Sequence, residues 1–375
     1  MKSKSIYTLI CLAATASLLN ACSAGDDATA EQTPQATTVS FSGKASVGTS
    51  ADATRGYFGD AAVGSPLGAY TWETGDVIKA AIFNSTAKTF LASGSDYTWD
   101  TTTTPSADGS SASVTWAKDL TNFSAASSNS HLLFSLPAAD AANTMSASIV
   151  NASSESPLEV GYHIASELTG AAVNSMTHLK NCSFIYAQQD DFTGVKSSSD
   201  LQFHYIPALI RFAIANGNSS TVTITNVKME SSGIIFNEYA EYNLGSMAPN
   251  FGMYTQGDYN NYISVSLAAT TPAVIEPGKY ARIYTATLPT TTNFSSSTFT
   301  FTITTSDGTT YTSNKISGAT LAAEWTNNVG SDTDTDKDLF REGKSYTFKL
   351  WLDNKKGLTF VSSSAMPGWG TDTGL

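Results

Sequence analysis

Few residues of this 375-residue chain are of the kinds that carry out chemistry, and their spacing excludes more than it allows. Four histidines, His131, His163, His178 and His204, are scattered with no metal-ligand interval between them, so each reads as a structural residue. Neither His-Glu-x-x-His nor Gly-x-Ser-x-Gly occurs, which removes the zinc-hydrolase helix and the nucleophile elbow. Gly343-Lys344-Ser345 has the end of a phosphate loop, but Asp338 stands where the first glycine belongs and a strand pattern follows. Asp332, Asp334, Asp336 and Asp338 could offer hard oxygen ligands to calcium. The EF-hand order fails, because Lys337 takes the place of the sixth-position glycine and Gly343 that of the twelfth-position glutamate. Residues 332–338 therefore read as a solvated acidic loop, with calcium as the alternative. No matched acid–base or nucleophile set is left, so the expectation is a protein that is not an enzyme and has neither metal nor cofactor.

The cysteines carry the remaining chemistry. Cys11 lies in an apolar run over residues 6–19 that follows Lys2 and Lys4, and a small residue, Ala21, precedes Cys22. Such a run would reach only about 21 Å as a helix, short of a hydrocarbon core of about 30 Å, and so reads as a secretory leader over residues 1–21. Leu19-Asn20-Ala21-Cys22 resembles the lipobox of bacterial lipoproteins, which implies acylation of the Cys22 thiol and attachment to outer-membrane lipid. Each buried methylene contributes about 0.8 kcal/mol, so more than one acyl chain holds a protein durably. Asp26-Asp27 resembles the surface-export signal of Bacteroides-type lipoproteins, and residues 22–37 read as a flexible tether. Cys182 is then left without a partner, so no disulfide is expected; it reads as a small apolar residue in a strand.

Without the leader 354 residues remain, enough for one large or two ordinary domains. Only 14% of residues are charged and Ser and Thr are abundant, a composition of extracytoplasmic β-proteins. The net charge of −12 becomes −14 without Lys2 and Lys4, which argues against a nucleic-acid partner.

Period-two patterns dominate. Val39 and Phe41 alternate with Ser40 and Ser42, predicting a strand at residues 38–43. Further alternation covers residues 221–224, 263–267 and 299–303, the last before an Asp307-Gly308 turn. Tyr346, Phe348, Leu350 and Leu352 share one face and precede a turn at residues 353–357. One polar face per strand means sheets packed on one side, as in sandwiches. Short helices are expected only at residues 166–173 and 319–324. The polar run at residues 196–200 suggests a boundary between domains of residues 38–200 and 201–375. Arg55, the only arginine before Arg211, lies in a stretch without strong secondary-structure signals, where proteases cut.

Several stretches, in order, resemble the fimbrillin-like (type V pilus subunit) proteins of Bacteroidales. These are Thr54-Arg55 followed by Trp72-x-x-Gly75-Asp76-x-Ile78, the strand His131 through Pro137, and Phe203-His204 followed by Ala208 and Phe212 with one extra residue in the spacing. The tail from Gly343 through Gly357-Leu358-Thr359-Phe360 to Pro367-Gly368-Trp369 is similar to that family's closing hairpin. The resemblance implies an all-β fold of two tandem transthyretin-like sandwiches. It also implies export to the outer membrane and cell surface, cleavage after Arg55 to leave Gly56, and assembly with other fimbrial subunits by strand exchange. Val39 and Phe41 would lie on the removable strand, Leu358 and Phe360 on a donor strand, and a host or bacterial surface ligand would be the adhesive partner. The alternative is an anchored glycan-binding lipoprotein that uses loop aromatics such as Tyr254, Tyr259, Tyr262 and Trp325.

Overall fold

The fold is built from sheets whose apolar faces meet in two buried clusters. A computed structural model describes residues 36–47, 72–84, 89–90, 98–121, 123, 129–137, 145–153, 156–189, 191–243, 253–256, 259–326 and 338–366. The leader, Cys22, Arg55, Gly56, Asp332, Asp334, Asp336 and Trp369 lie outside them.

The first cluster lies between two sheets. One has nine strands, and its main path runs 89–90, 78–84, 129–135, 185–189, 195–205, 36–47, 112–121, 102–105, with 99–100 paired to 78–84. The other has four, in the order 253–256, 239–243, 156–164, 145–153. Val39, Phe41, Val114, Leu133, Phe203, Val160, Tyr162 and Tyr242 are among the residues buried between them. The second cluster lies between a seven-stranded sheet containing 222–231, 262–267 and 298–305 and a four-stranded sheet ordered 280–287, 208–216, 345–353, 357–366. Phe212, Phe301, Phe348 and Leu350 are in its centre. Sheets that bury their apolar faces against one another in this way define an all-β sandwich architecture.

The alternating stretches become strands as expected, with Tyr346, Phe348, Leu350 and Leu352 all buried. Two expectations differ. Residues 166–173 form no helix: Glu167–Ala171 is a strand paired in parallel with Tyr262–Leu267. Cys182 is buried but ends a 3₁₀ turn, Thr177–Cys182, rather than lying in a strand, and it packs on the Met145 sulfur. The helix expected at 319–324 is present as Gly318–Thr326.

The chain moves from one cluster to the other near Ile206-Pro207, not within residues 196–200. That polar run is part of the strand Val195–Tyr205, and the pairing shifts by one residue there because a bulge fits extra chain in at the polar stretch. Nor are the clusters strictly sequential. Tyr239–Asn243, from the second half, pairs with Ser156–Ile164 and puts Ala240 and Tyr242 into the first cluster. Glu167–Ala171, from the first half, joins the seven-stranded sheet of the second. Leu209, Tyr284 and Ala286 extend from the second cluster's own strands into the first. From Ala36 onward the chain accordingly packs as one compact unit.

Candidate assembly site

The feature that stands out is the position of the first strand. It is longer than residues 38–43, running Ala36–Val47, so the last two residues of the expected tether, 36 and 37, are strand as well. It is also interior. On one side it pairs antiparallel with Ala112–Thr121, from Ala36↔Thr121 to Ala45↔Ala112. On the other it pairs in parallel with Val195–Tyr205, from Ser40↔Val195 to Val47↔Phe203. Neither neighbour follows the first strand directly in sequence, so no hairpin turn ties it to them, and ladder bonds and buried side chains hold it in its slot.

Alternation decides what the strand buries. Val39, Phe41 and Ala45 point into the first cluster and are essentially inaccessible, whereas Thr38, Ser42 and Lys44 face solvent. Thr38 donates its hydroxyl to Asp119 on the neighbouring strand at 2.5 Å. At about 1.5–3 kcal/mol for each large side chain, Val39 and Phe41 supply about 5 kcal/mol of burial between them.

Beneath Phe41 is an aromatic nest. The Phe41 and His131 ring centroids are 4.3 Å apart, His131 stacks on Phe192 at 5.3 Å, and Trp116 lies 5.1 Å from His131. The Trp116 indole N–H donates to His131 Nε2 at 2.5 Å, so the imidazole proton sits on Nδ1, which is buried with no hydrogen-bond partner among the described residues. Burial pushes the His131 pKa down to about 3, and the ring is neutral at ordinary pH. His131 is thus a structural residue of the site, and its role comes from the tertiary fold rather than from any local motif. One end of the slot is set by Gly194, whose carbonyl accepts the Ser40 N–H at 2.7 Å. Its φ of +109° suits glycine alone, and a Cβ there would lie 2.8 Å from the Phe123 ring.

The structure brings Val39 and Phe41 together but keeps Leu358 and Phe360 in the other cluster. Among the described residues the strand Gly357–Met366 is an edge strand, paired only with Ser345–Asp353. Leu358 is buried there and Phe360 stacks on Phe301 with centroids 5.7 Å apart. Asp338 is buried, and its carbonyl accepts the Phe294 N–H. Among the described residues no three His, Cys, Asp or Glu side chains are grouped so as to hold a metal ion. Tyr262 is half-buried and already engaged, donating to Glu167 and lying under the Lys228 ammonium. No helix among the described residues is long and apolar enough to cross a membrane.

The class defined so far is an all-β sandwich protein whose first strand is interior to its sheet and buries Val39, Phe41 and Ala45. No protein-family model matches the sequence, and no curated protein matches it either. Solved structures of Bacteroidales fimbrial and cell-adhesion proteins are its neighbours in structure. The tip fimbrial protein Mfa3 from Porphyromonas gingivalis, with a C-terminal truncation, is 10% identical, with a TM-score of 0.42 over 88% of this chain and 99% of its own. A fimbrial assembly protein from Parabacteroides distasonis is 10% identical, with a TM-score of 0.40 over 87% of this chain and 95% of its own. A fimbrial protein from Bacteroides vulgatus is 12% identical, with a TM-score of 0.37 over 79% and 93%.

Proposed function

We propose that this chain is a fimbrial subunit, exported as a lipoprotein acylated at Cys22, cut between Arg55 and Gly56, and assembled on the cell surface by β-strand exchange to support adhesion. The observation that carries this reading is the interior position of Ala36–Val47, joined to the body of the chain through a segment that contains Arg55. A cut at that arginine would leave the strand held by noncovalent contacts alone. Its departure would unpair backbone groups on two neighbours at once, at about 1–3 kcal/mol for each buried group left unmet. A strand from another subunit would restore both ladders, which is β-augmentation within a sheet rather than at its edge.

The segment Gly357–Met366 suits the vacancy in pattern. Leu358, Phe360, Ser362 and Ser364 have the same two-residue spacing and the same large-then-small order as Val39, Phe41, Gly43 and Ala45. As an edge strand it has one ladder to give up, and in leaving it would expose Leu358.

The test is Arg55→Ala expressed in the native host, with the mature N-terminus read by mass spectrometry. Wild type is expected to begin at Gly56 and to form ladders resistant to mild detergent. The variant is expected to stay a monomer with acylated Cys22, and normal polymerisation of Arg55→Ala would remove cleavage from the account.

A further inference from the structure

The outer face of the four-stranded sheet of the second cluster carries a feature away from the slot of the first strand. Leu350 and Leu352 point inward, so Trp351 between them points outward. Trp72 and Trp116 are buried, but Trp351 is 41% exposed. Its place is built in. A Cβ on Gly217 would lie 2.3 to 2.5 Å from Nε1, Cε2 and Cζ2 of the indole, so the ring's N–H edge fills the space that a side chain at 217 would take. Gly217 has no left-handed φ to explain its being glycine, which leaves the indole as the reason.

Polar groups continue from this platform. Asn218 follows Gly217, and its Oδ1 accepts the Asn354 N–H at 2.5 Å. The Asn354 Oδ1 in turn accepts the Tyr311 hydroxyl at 2.8 Å, which fixes the amide and turns its NH₂ away from that bond. Asn218 is only 8% exposed, and its Nδ2 has no hydrogen-bond partner among the described residues. Across the sheet, Tyr280 pairs with Ala215 and Ala215 with Trp351, which places half-buried Tyr280 on the same face two strand spacings away, about 10 Å along the backbone ladder.

Charge narrows the ligand. The chain has a net charge of −12, yet Lys349, Lys355 and Lys356 fall within eight residues of one another around Trp351. Lys349 is on the same outward face, two residues before the tryptophan, and Lys355 and Lys356 are exposed in the turn that follows it. None of the three forms an ion pair with a described residue. The carboxylates at this end are Asp353, whose Oδ1 accepts the Lys355 and Lys356 N–H groups, and Glu276 before the strand of Tyr280.

An exposed indole attracts partly positive C–H groups to its π face, as presented by the apolar side of a pyranose ring. Fixed amides match sugar hydroxyls, and unpaired ammonium groups match a carboxylate or sulfate. We propose that Trp351, with Asn354, Lys349, Lys355 and Lys356, forms a binding site for an acidic saccharide, a pyranose bearing a carboxylate or sulfate group. The site lies away from the slot of the first strand, but Trp351 pairs with Thr359 and the turn with Lys355 and Lys356 leads into Gly357–Met366, so it belongs to the chain whose own Gly357–Met366 is still in place.

A hyaluronan tetrasaccharide, which alternates uronic acid with N-acetylhexosamine, is the probe, and chitotetraose is its uncharged counterpart. Titration into the uncut chain, which keeps Ala36–Val47 and Gly357–Met366 in place, followed by tryptophan fluorescence and calorimetry, is expected to show saturable binding of the hyaluronan probe. Trp351→Ala is expected to weaken it at least tenfold, Lys355→Ser with Lys356→Ser several-fold, and chitotetraose is expected to bind more weakly. All variants should keep the wild-type melting temperature to within a few degrees, since the three residues are half-exposed or exposed. Gly217→Val, which displaces the indole without removing it, should match Trp351→Ala. The proposal is overturned if no binding is seen, if Trp351→Ala binds as wild type does, or if polyglutamate competes as well as hyaluronan, which would reduce the effect to general charge attraction.

Discussion

A chain that begins at Gly56 is expected to lack a stable first cluster as a monomer, and a synthetic peptide of residues 36–47 is expected to restore it in trans. The reason lies in the sheet order. Among the described residues Ala112–Thr121 has two neighbours, the first strand and the short edge strand Thr102–Pro105. Without the first strand, that hairpin loses its connection to the other strands of the sheet. A two-stranded hairpin is at best marginal alone. Ala112, Val114, Trp116 and Leu120 would then lose their cover together. The about 5 kcal/mol from Val39 and Phe41, added to the unpaired ladder groups, is comparable with the whole stability of an ordinary domain, about 5–15 kcal/mol. Near-UV circular dichroism and hydrogen exchange of residues 112–121 and 195–205 would report the loss and its repair. A peptide with Phe41→Asp should fail to repair it, since it would bring a carboxylate into the His131 nest. In the intact chain Phe41→Ala should cost about 3–5 kcal/mol. A Gly56 chain that is monomeric, cooperative and as stable as the intact one would show that the strand is dispensable, and the slot would lose its meaning.

Much of this arrangement could be read in the sequence because alternation is a local signal. Val39 and Phe41 against Ser40 and Ser42, or Tyr346 through Leu352, show which face is buried without reference to any partner. Partners are what alternation cannot supply. That the first strand lies between Ala112–Thr121 and Val195–Tyr205 is a pairing across about 80 and 155 residues, and no pattern within twelve residues encodes it. Strands buried on both faces mislead in another way. In Ala208–Asn216 nearly every residue is buried because one face meets the second cluster while Leu209 reaches the first. The run 196–200 was legible as polar, but in a wide sheet a polar stretch is also where a bulge fits, so polarity alone did not locate the change of cluster. Residues 166–173 have mixed spacing, and pairing with Tyr262–Leu267 overrode their weak local preference. The aromatic nest had no sequence signal at all, since Phe41, Trp116, His131 and Phe192 come from four distant segments.

The buried imidazoles lead to a steep loss of stability in acid. His131 is pushed down to about 3 and His178 to about 4, each chiefly by burial, and His204 is lowered for the same reason. His178 also contacts the Tyr284 carbonyl at 3.0 Å, which partly offsets its shift. With an ordinary value near 6.5, the unfolded chain binds more protons than the fold at any pH below that, so stability falls as pH falls from about 6.5 toward 3. At pH 4 the His131 contribution alone is about 3 kcal/mol. Glu342 acts in the opposite sense. Burial raises its carboxyl to about 7, with Arg341 pulling it slightly back, so the fold binds the extra proton and stability falls as pH rises from about 4.5 to 7. Between pH 4.5 and 6.5 the two slopes oppose each other, and below 4.5 the histidines act alone. Urea unfolding from pH 3.5 to 8 should therefore show stability falling from about pH 6.5 downward, gently while Glu342 offsets part of the histidine loss and more steeply below about 4.5. His131→Gln keeps an acceptor for the Trp116 N–H, costs about 1–2 kcal/mol at pH 7 through lost ring packing, and should flatten the decline. Glu342→Gln should stabilise the protein by about 1–3 kcal/mol at pH 8 and leave pH 4 unchanged. If His131→Gln declines between pH 6.5 and 4 as steeply as wild type, the acid sensitivity belongs to other groups and the imidazole under Phe41 is not what limits the slot at low pH.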